Sequence, residues 1–536
     1  MVIFLFIRLK KNNSGSISVL LVSSERIPGG QSYPHIIKHF GVVKTEQELS
    51  NLKIIAQQYL DSIIVNDNVI PKTTSTGSKI LSIRNGQDIT SCYSETIGFK
   101  DLYGKLFKKI FIDTGLHNIS NTMLGELAVM RIIKPKSKLY TANISNNFGY
   151  ALNVDRIYKF MDRITDEVIS NIKTISYQNT KKLLSDSEQQ VEVLFYDLTT
   201  IYFEVNSQDE LRDFGFSKDG KHQHVQIVLA IIVTTSGLPI SYEIFQGNTY
   251  EGHTLIPTIL ELKNKYNINR IVVIADSGLI NKANTAALNE AKLEYIIGVR
   301  LKNSSKKFLR SVFEEDGFVN LNEDLKYKIC RSDKSADQLI IYHSIKRAKK
   351  DAYDRELAIE KIKKHVGSSV KNKLAGVLRK TYVRITEDSY INIDENKLKE
   401  ANKFDGYFAI QTNIPKYDPK DILDNYRGLY QIEQTFRISK YNLKIRPIFH
   451  YSPHRVKANF AICYVALILI RTLEFKTKQK DTYIPIEQLH ELLLKVSTLK
   501  ISSNGKDFKL TTDFPKELRN VYKCFDIKEP NKFVSL

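Results

Sequence analysis

Three carboxylates stand where a phosphoryl-transfer site would want them. Asp197 closes the strand-like run VEVLFYDLTT, Asp276 closes RIVVIADSG, and Glu433 lies inside the helix-like stretch DNYRGLYQIEQTFRISK. A carboxylate leaving the C-terminal end of an apolar, β-branched strand emerges where open α/β sheets place ligands. Two such strands are expected to bring Asp197 and Asp276 together, with Glu433 added from a helix packed across the sheet edge. Oxygen ligands of this kind suit Mg²⁺, which keeps water and substrate phosphate oxygens in its remaining positions. Two ions about 3.5–4 Å apart would serve the attacking and the leaving oxygen of an in-line displacement. Taken singly, each aspartate reads more simply as a turn residue before Thr-Thr or Ser-Gly. The strongly apolar LFY and VVIA ahead of them instead favour a cation at the strand exit.

Residues seven apart lie on nearly the same helix face, and Tyr426, Glu433 and Lys440 meet that spacing twice. Arg437, four residues past Glu433, joins the stripe. A phenol, a carboxylate and two cations on one surface suit a phosphodiester backbone around a cleavage point; an i,i+4 charge ladder on a solvated helix is the competing reading of this helix alone. Lys218, Arg300 and Lys302 are weaker candidates for DNA contact. His222, His224, His450 and His454 lack metal-ligand spacing relative to the carboxylates and are expected to be hydrogen-bonded structural residues.

The elements that must position these groups can be outlined from pattern. Residues 1–95 are expected to be an α+β unit opening with a β-hairpin around Asn13-Ser14-Gly15-Ser16, with a helix from about Thr45 to Val65 and a linker at Lys72–Lys79. Residues 96–185 read as helical and basic, a possible DNA-docking region. From Val191 the pattern gives strands Val191–Leu198, Ile201–Val205, Val225–Thr234 and Pro239–Phe245, the last two joined by a Ser236-Gly237 turn, and then alternating helix and strand. Three antiparallel-looking strands followed by that alternation is the order of a ribonuclease H-like sheet. The predicted class is therefore α/β: a ribonuclease H-like mixed sheet flanked by helices, from 186–302 and 404–475. The stretch between Asp276 and Glu433 is too long for a structureless connection, so 303–403 is read as an inserted α+β domain. Residues 476–536 form a basic C-terminal region.

Composition narrows the partners. Over 536 residues, 79 Lys and Arg against 59 Asp and Glu leave a net charge of +20, an excess that favours a polyanion, by default nucleic acid. Four dispersed cysteines without CxxC or Cys/His spacing argue against disulfides and zinc. The run MVIFLFI is too short to span a bilayer, and Phe460–Ile470 reads as a buried core helix. The expected location is a reducing cytoplasm, in association with the nucleoid, with no membrane partner.

The segments YDLTTIYFE, LRDFGFSKDG, GLPISYEIFQGNTYEGHTL, VVIADSGLINKAN, KFDGYFAIQTN and YQIEQTFRISK…RPIFH follow one another as in bacterial insertion-sequence transposases of the DDE class. The resemblance is to those whose ribonuclease H-like core carries a large insertion before the final Glu. It implies that Asp197, Asp276 and Glu433 form a catalytic triad binding two Mg²⁺ ions, for which Mn²⁺ can substitute. The implied partners are double-stranded DNA, as terminal inverted repeats and as target, and a second copy in a DNA-dependent homodimer. The family's helix signature is Tyr, two residues, Arg, three residues, Glu, six residues, Lys. Tyr426, Glu433 and Lys440 match it, whereas Leu429 stands at the Arg position. The implied activity is cleavage of element ends and joining of the 3′ hydroxyl to target DNA. The rivals are a ribonuclease H-like nuclease without strand transfer and an inactive DNA-binding relic; a phosphatase is disfavoured because Leu198 and Thr199 follow Asp197.

Overall fold

The computed structural model describes the chain except residues 1–2, 13–14, 26–33, 44, 47, 50–51, 54, 57–69, 72–88, 96–103, 120–121, 149, 188–192, 205–206, 217–219, 221–222, 251–252, 277–281, 315, 332–336, 364–381, 386–390, 447, 449, 497, 504–505, 513 and 536. The expected linker at 72–79 lies outside the described residues, as do Lys218, His222 and most of the helix expected at 45–65.

The described chain divides into two compact units, one made of 1–96, 496–514 and 530–536, the other of 97–495 and 515–529. In the first unit the anticipated N-terminal hairpin pairs Ile3–Lys11 antiparallel with Ile17–Glu25. A second sheet there joins Ile89–Glu95 to Thr498–Ser503, so residues from both ends of the sequence share one body.

The second unit is built on a nine-stranded mixed sheet. Its strands are β1 (Val193–Tyr202), β2 (Gln226–Thr234), β3 (Pro239–Gln246), β4 (Val272–Ala275), β5 (Glu294–Val299), β6 (Val319–Asn320), β7 (Leu325–Arg331), β8 (Gln338–Ser344) and β9 (Tyr407–Thr412). In space they run β6-β7-β8-β9-β5-β4-β1-β2-β3. Antiparallel β1–β2–β3 followed by β4 and β5, each parallel to its neighbour, gives the 3-2-1-4-5 order of a ribonuclease H-like fold. Strands β6–β8 come from the stretch expected to be an insertion, and β9 pairs with both β5 and β8, so these strands extend the same sheet.

Period-two alternation decides which side chains face which layer. From β1, Leu194, Tyr196 and Leu198 enter a core with Val273, Ala275, Tyr295 and Ile297. Helix α1 (Leu255–Tyr266) supplies Leu255, Ile259 and Leu262 to it, and α2 (Lys282–Glu290) supplies Leu288. All nine residues of β2 are buried, as a strand covered on both faces requires. Beyond β8 comes the charged helix α3 (Ile345–Lys363). The opposite face of the sheet carries α4 (Pro419–Arg427) and α5 (Tyr430–Arg437). Helix α6 (Pro453–Gln479) packs among the helices of the 104–185 region. Every residue from Phe460 to Ile470 is buried, so this stretch is core, although α6 is long and apolar enough to cross a membrane. The helical region is tied to it by polar contacts: Lys138 Nζ donates to Asn459 Oδ1 at 2.7 Å, and Arg131 Nε reaches Cys463 Sγ at 3.3 Å.

Candidate active site

Asp197 was expected at a strand end, with a second short strand after it. Instead β1 continues to Tyr202, because the β-branched Thr199, Thr200 and Ile201 go on pairing with β2. The opening lies on the other side. The β1–β4 pairing runs from Val193↔Val272 to Phe195↔Ile274, and β4 stops at Ala275. Asp197 and Asp276 each lie two residues past the last paired position, Phe195↔Ile274, on adjacent parallel strands. Asp197 is half-buried and its Oδ1 accepts from the Leu198 amide at 2.7 Å. Asp276 is exposed. Adjacent strands of the sheet thus carry the first two expected carboxylates, each just past the paired segment.

On the far side of Asp276, the β4–β5 register Ala275↔Ile297 sets it level with Gly298. The phenol of Tyr426, from α4, occupies the space that a side chain at 298 would need: a Cβ there would stand 2.1 Å from Tyr426 Oη. Seated in this way, Tyr426 donates a long hydrogen bond of 3.5 Å to Asp276 Oδ1. Burial, and then the Asp276 carboxylate, push the Tyr426 phenol up to about 12, so near neutral pH it is a donor. Gly298 was not anticipated as a site residue, though a glycine inside the strand YIIGVR is a recognised mark of close approach by another group.

Tyr426, Glu433 and Lys440 were expected on one continuous helix stripe, and here the structure departs. Gly428 and Leu429 tighten the backbone into i→i+3 bonds, with Leu429 N to Tyr426 O at 3.1 Å and Gln431 N to Gly428 O at 2.9 Å. After Arg437 the chain widens into a π-helical turn, Ile438–Asn442, which contains Lys440. Each seven-residue step therefore crosses an overwound or underwound turn, and ideal wheel geometry does not apply. The tight turn exists because Gly428 presses on Phe195, where a Cβ would come within 2.6 Å of the ring. Glu433 and Arg437 are exposed on α5, which runs over β1 and β2; Lys440 is half-buried.

Helix α5 is held by Arg471, a buried cation in α6. Its Nη2 donates to Gln431 O at 2.9 Å and Thr435 Oγ1 at 2.7 Å, and its Nη1 pairs with Glu474 at 2.8 Å. A charged pair inside the apolar run FAICYVALILIRTLEF was a legible signal for this anchor.

Carboxylates on adjacent strands where their pairing stops suit a hard divalent cation, which takes carboxylate oxygens and completes its shell with water or phosphate. Among the described residues no three His, Cys, Asp or Glu side chains are grouped to hold a metal ion. Glu433 projects, exposed, from a helix seated by Gly428 against Phe195 of β1 and by Arg471. The weaker candidates Arg300 and Lys302 line a cleft of about 730 Å³ that also includes Asp276 and Tyr426. The histidines are structural: His224 Nδ1 lies 3.1 Å from Phe203 O and His454 Nε2 3.1 Å from Asp162 O. His450 is buried, and burial, followed by Lys138 and Arg131, lowers it to about 3.

No curated protein matches the chain. Among solved structures it is similar to a piggyBac transposase in a synaptic complex with hairpin DNA, at 8% identity and a TM-score of 0.35, over 75% of this chain and 79% of that one. The transposase DDE domain family matches residues 189–469, more than half of the sequence, from the strand bearing Asp197 through most of the long apolar helix. With that span holding Asp197, Asp276, Tyr426 and Glu433, this chain belongs to the DDE-domain transposases.

Proposed function

We propose that this transposase cuts DNA at the terminal inverted repeats of its own element and joins the freed end to target DNA. The observation that supports this most is that Asp197 and Asp276 lie on adjacent parallel strands just past their paired segment, with Tyr426 against Asp276. In this reading Asp197 and Asp276 hold divalent ions, Mg²⁺ or Mn²⁺, with Glu433 as the third carboxylate; the ions supply charge neutralisation at phosphorus and an acidified water. Water attacks the phosphodiester and expels the 3′ oxygen, which leaves as a hydroxyl. That hydroxyl then attacks a target phosphodiester, forming a new P–O bond as the target's own 3′ oxygen departs. Both steps are in-line displacements, so one set of carboxylates serves them in turn. Asp197 and Asp276 orient the reacting phosphate, and Tyr426, Arg437 and Lys440 contact the DNA backbone. Two copies act together on the two ends.

The test is a Mg²⁺-dependent cleavage assay on the DNA flanking this gene, followed by strand transfer from precut ends. Wild type is expected to cleave and join, and Asp197→Ala, Asp276→Ala and Glu433→Ala to lose cleavage while still binding the ends. Cleavage without joining of precut ends would establish the nuclease reading instead, and an unaffected Asp197→Ala enzyme would refute the site.

A further inference from the structure

Helix α3 brings two arginines to the cleft beside Asp276, and they are used differently. Arg355 is spent on structure: Nη1 and Nη2 make a two-pronged ion pair with Asp405 at 2.5 and 2.6 Å, and the side chain is only 12% exposed. Arg347, eight residues earlier and about 80° round the helix, lines the same cleft and is 52% exposed. Its guanidinium lies 5.0 Å from the centroid of the Phe408 ring. Its closest carboxylate among the described residues is Asp351 at 3.8 Å, beyond hydrogen-bonding distance. The ring face attracts the cation at that distance, and Arg347 lines the cleft. That cleft is shared with Asp276 and Tyr426, and the Arg347 charge acts on the Tyr426 phenol. On α4 and α5, by contrast, the positions between Tyr426 and Glu433 offer only Arg427, 3.9 Å from Asp424. A phosphodiester arriving at Asp276 needs a cation to offset the carboxylates.

We propose that Arg347, held on Phe408, grips a phosphate of the DNA strand lying beside Asp276, so that the stretch between β5 and β9 supplies a substrate contact. This rests on the DNA reading above. The phosphate accepts a fork of two N–H bonds, as arginine provides and lysine does not. Asp351 steers the side chain without consuming it.

The experiment measures binding and cleavage of the end DNA by the full chain at several salt concentrations, for wild type, Arg347→Ala, Arg347→Lys and Arg355→Ala, together with a scan of single neutral methylphosphonates along the strand. Arg347→Ala is expected to cleave about tenfold to a hundredfold more slowly, as for loss of a charge-assisted bond, and to lower the salt slope of binding by about 1. Arg347→Lys should recover the slope but only part of the rate. One methylphosphonate position should weaken wild type and leave Arg347→Ala unaffected. Arg355→Ala should lower thermal stability with an unchanged salt slope. If wild type cleaves and Arg347→Ala matches it in rate and slope, the proposal is overturned while the transposition reading stands. If wild type does not cleave these ends, that reading fails, and the methylphosphonate scan still decides whether Arg347 contacts a phosphate.

Discussion

Replacing Gly298 by alanine tests whether the seat of Tyr426 is as close as the structure has it. The new Cβ would stand 2.1 Å from Tyr426 Oη and 2.9 Å from Cζ, so the phenol must retreat by about 1.3 Å to reach ordinary contact. A tyrosine has only two side-chain torsions with which to do so, and its ring is partly buried, so the overpacking is expected to cost about 1–3 kcal/mol. Set against this, alanine in a strand gains about 0.5–1 kcal/mol over glycine through the unfolded chain. The sign of the net effect therefore depends on whether Tyr426 is present. In urea unfolding followed by circular dichroism, Gly298→Ala should lower the midpoint in the wild-type background and be neutral or stabilising in a Tyr426→Ala background. Gly298→Ala should also reduce end cleavage to the level of Tyr426→Ala, because the phenol leaves Asp276. An equal midpoint shift in both backgrounds would refute the argument, since it would mean that the two residues do not touch.

Arg471→Met should destabilise the fold by about 3–5 kcal/mol, because Glu474 is left charged and buried without its partner; thermal unfolding should show most of this loss recovered in Arg471→Met/Glu474→Gln, and a double variant as unstable as the single would refute it. Lys138 is lowered to about 7, first by burial and then by Arg131, so between pH 7 and its ordinary value of 10.5 the unfolded chain binds the extra proton and stability rises with pH, by on the order of 1 kcal/mol per unit. Thermal midpoints measured across pH 6–10 should show that rise in wild type and its loss in Lys138→Met; an identical slope in both would refute the assignment.

The ribonuclease H-like order was legible because β1, β2, β4 and β5 announce themselves locally as β-branched apolar runs, and the two aspartates because each follows such a run. The same local reading found the buried helix at Phe460–Ile470. It misjudged the end of β1, since Thr199 and Thr200 look like a turn until β2 lies alongside to pair with them. It misjudged the stripe from Tyr426 to Lys440, since a wheel drawn at constant pitch ignores Phe195 pressing on Gly428 and Arg471 drawing on Gln431. Nothing in the order of residues marks Arg347 as a neighbour of Asp276, because that proximity arises from β8 and β9 folding back onto β5. Hydrophobic period and strand-end chemistry are properties of short segments, so the amino-acid sequence by itself determined the strands β1 to β5 and the pair of aspartates they lead to. The phase of the helix bearing Glu433 and the side chains around Asp276 depend on contacts between segments far apart in the chain, and those only the tertiary structure decided.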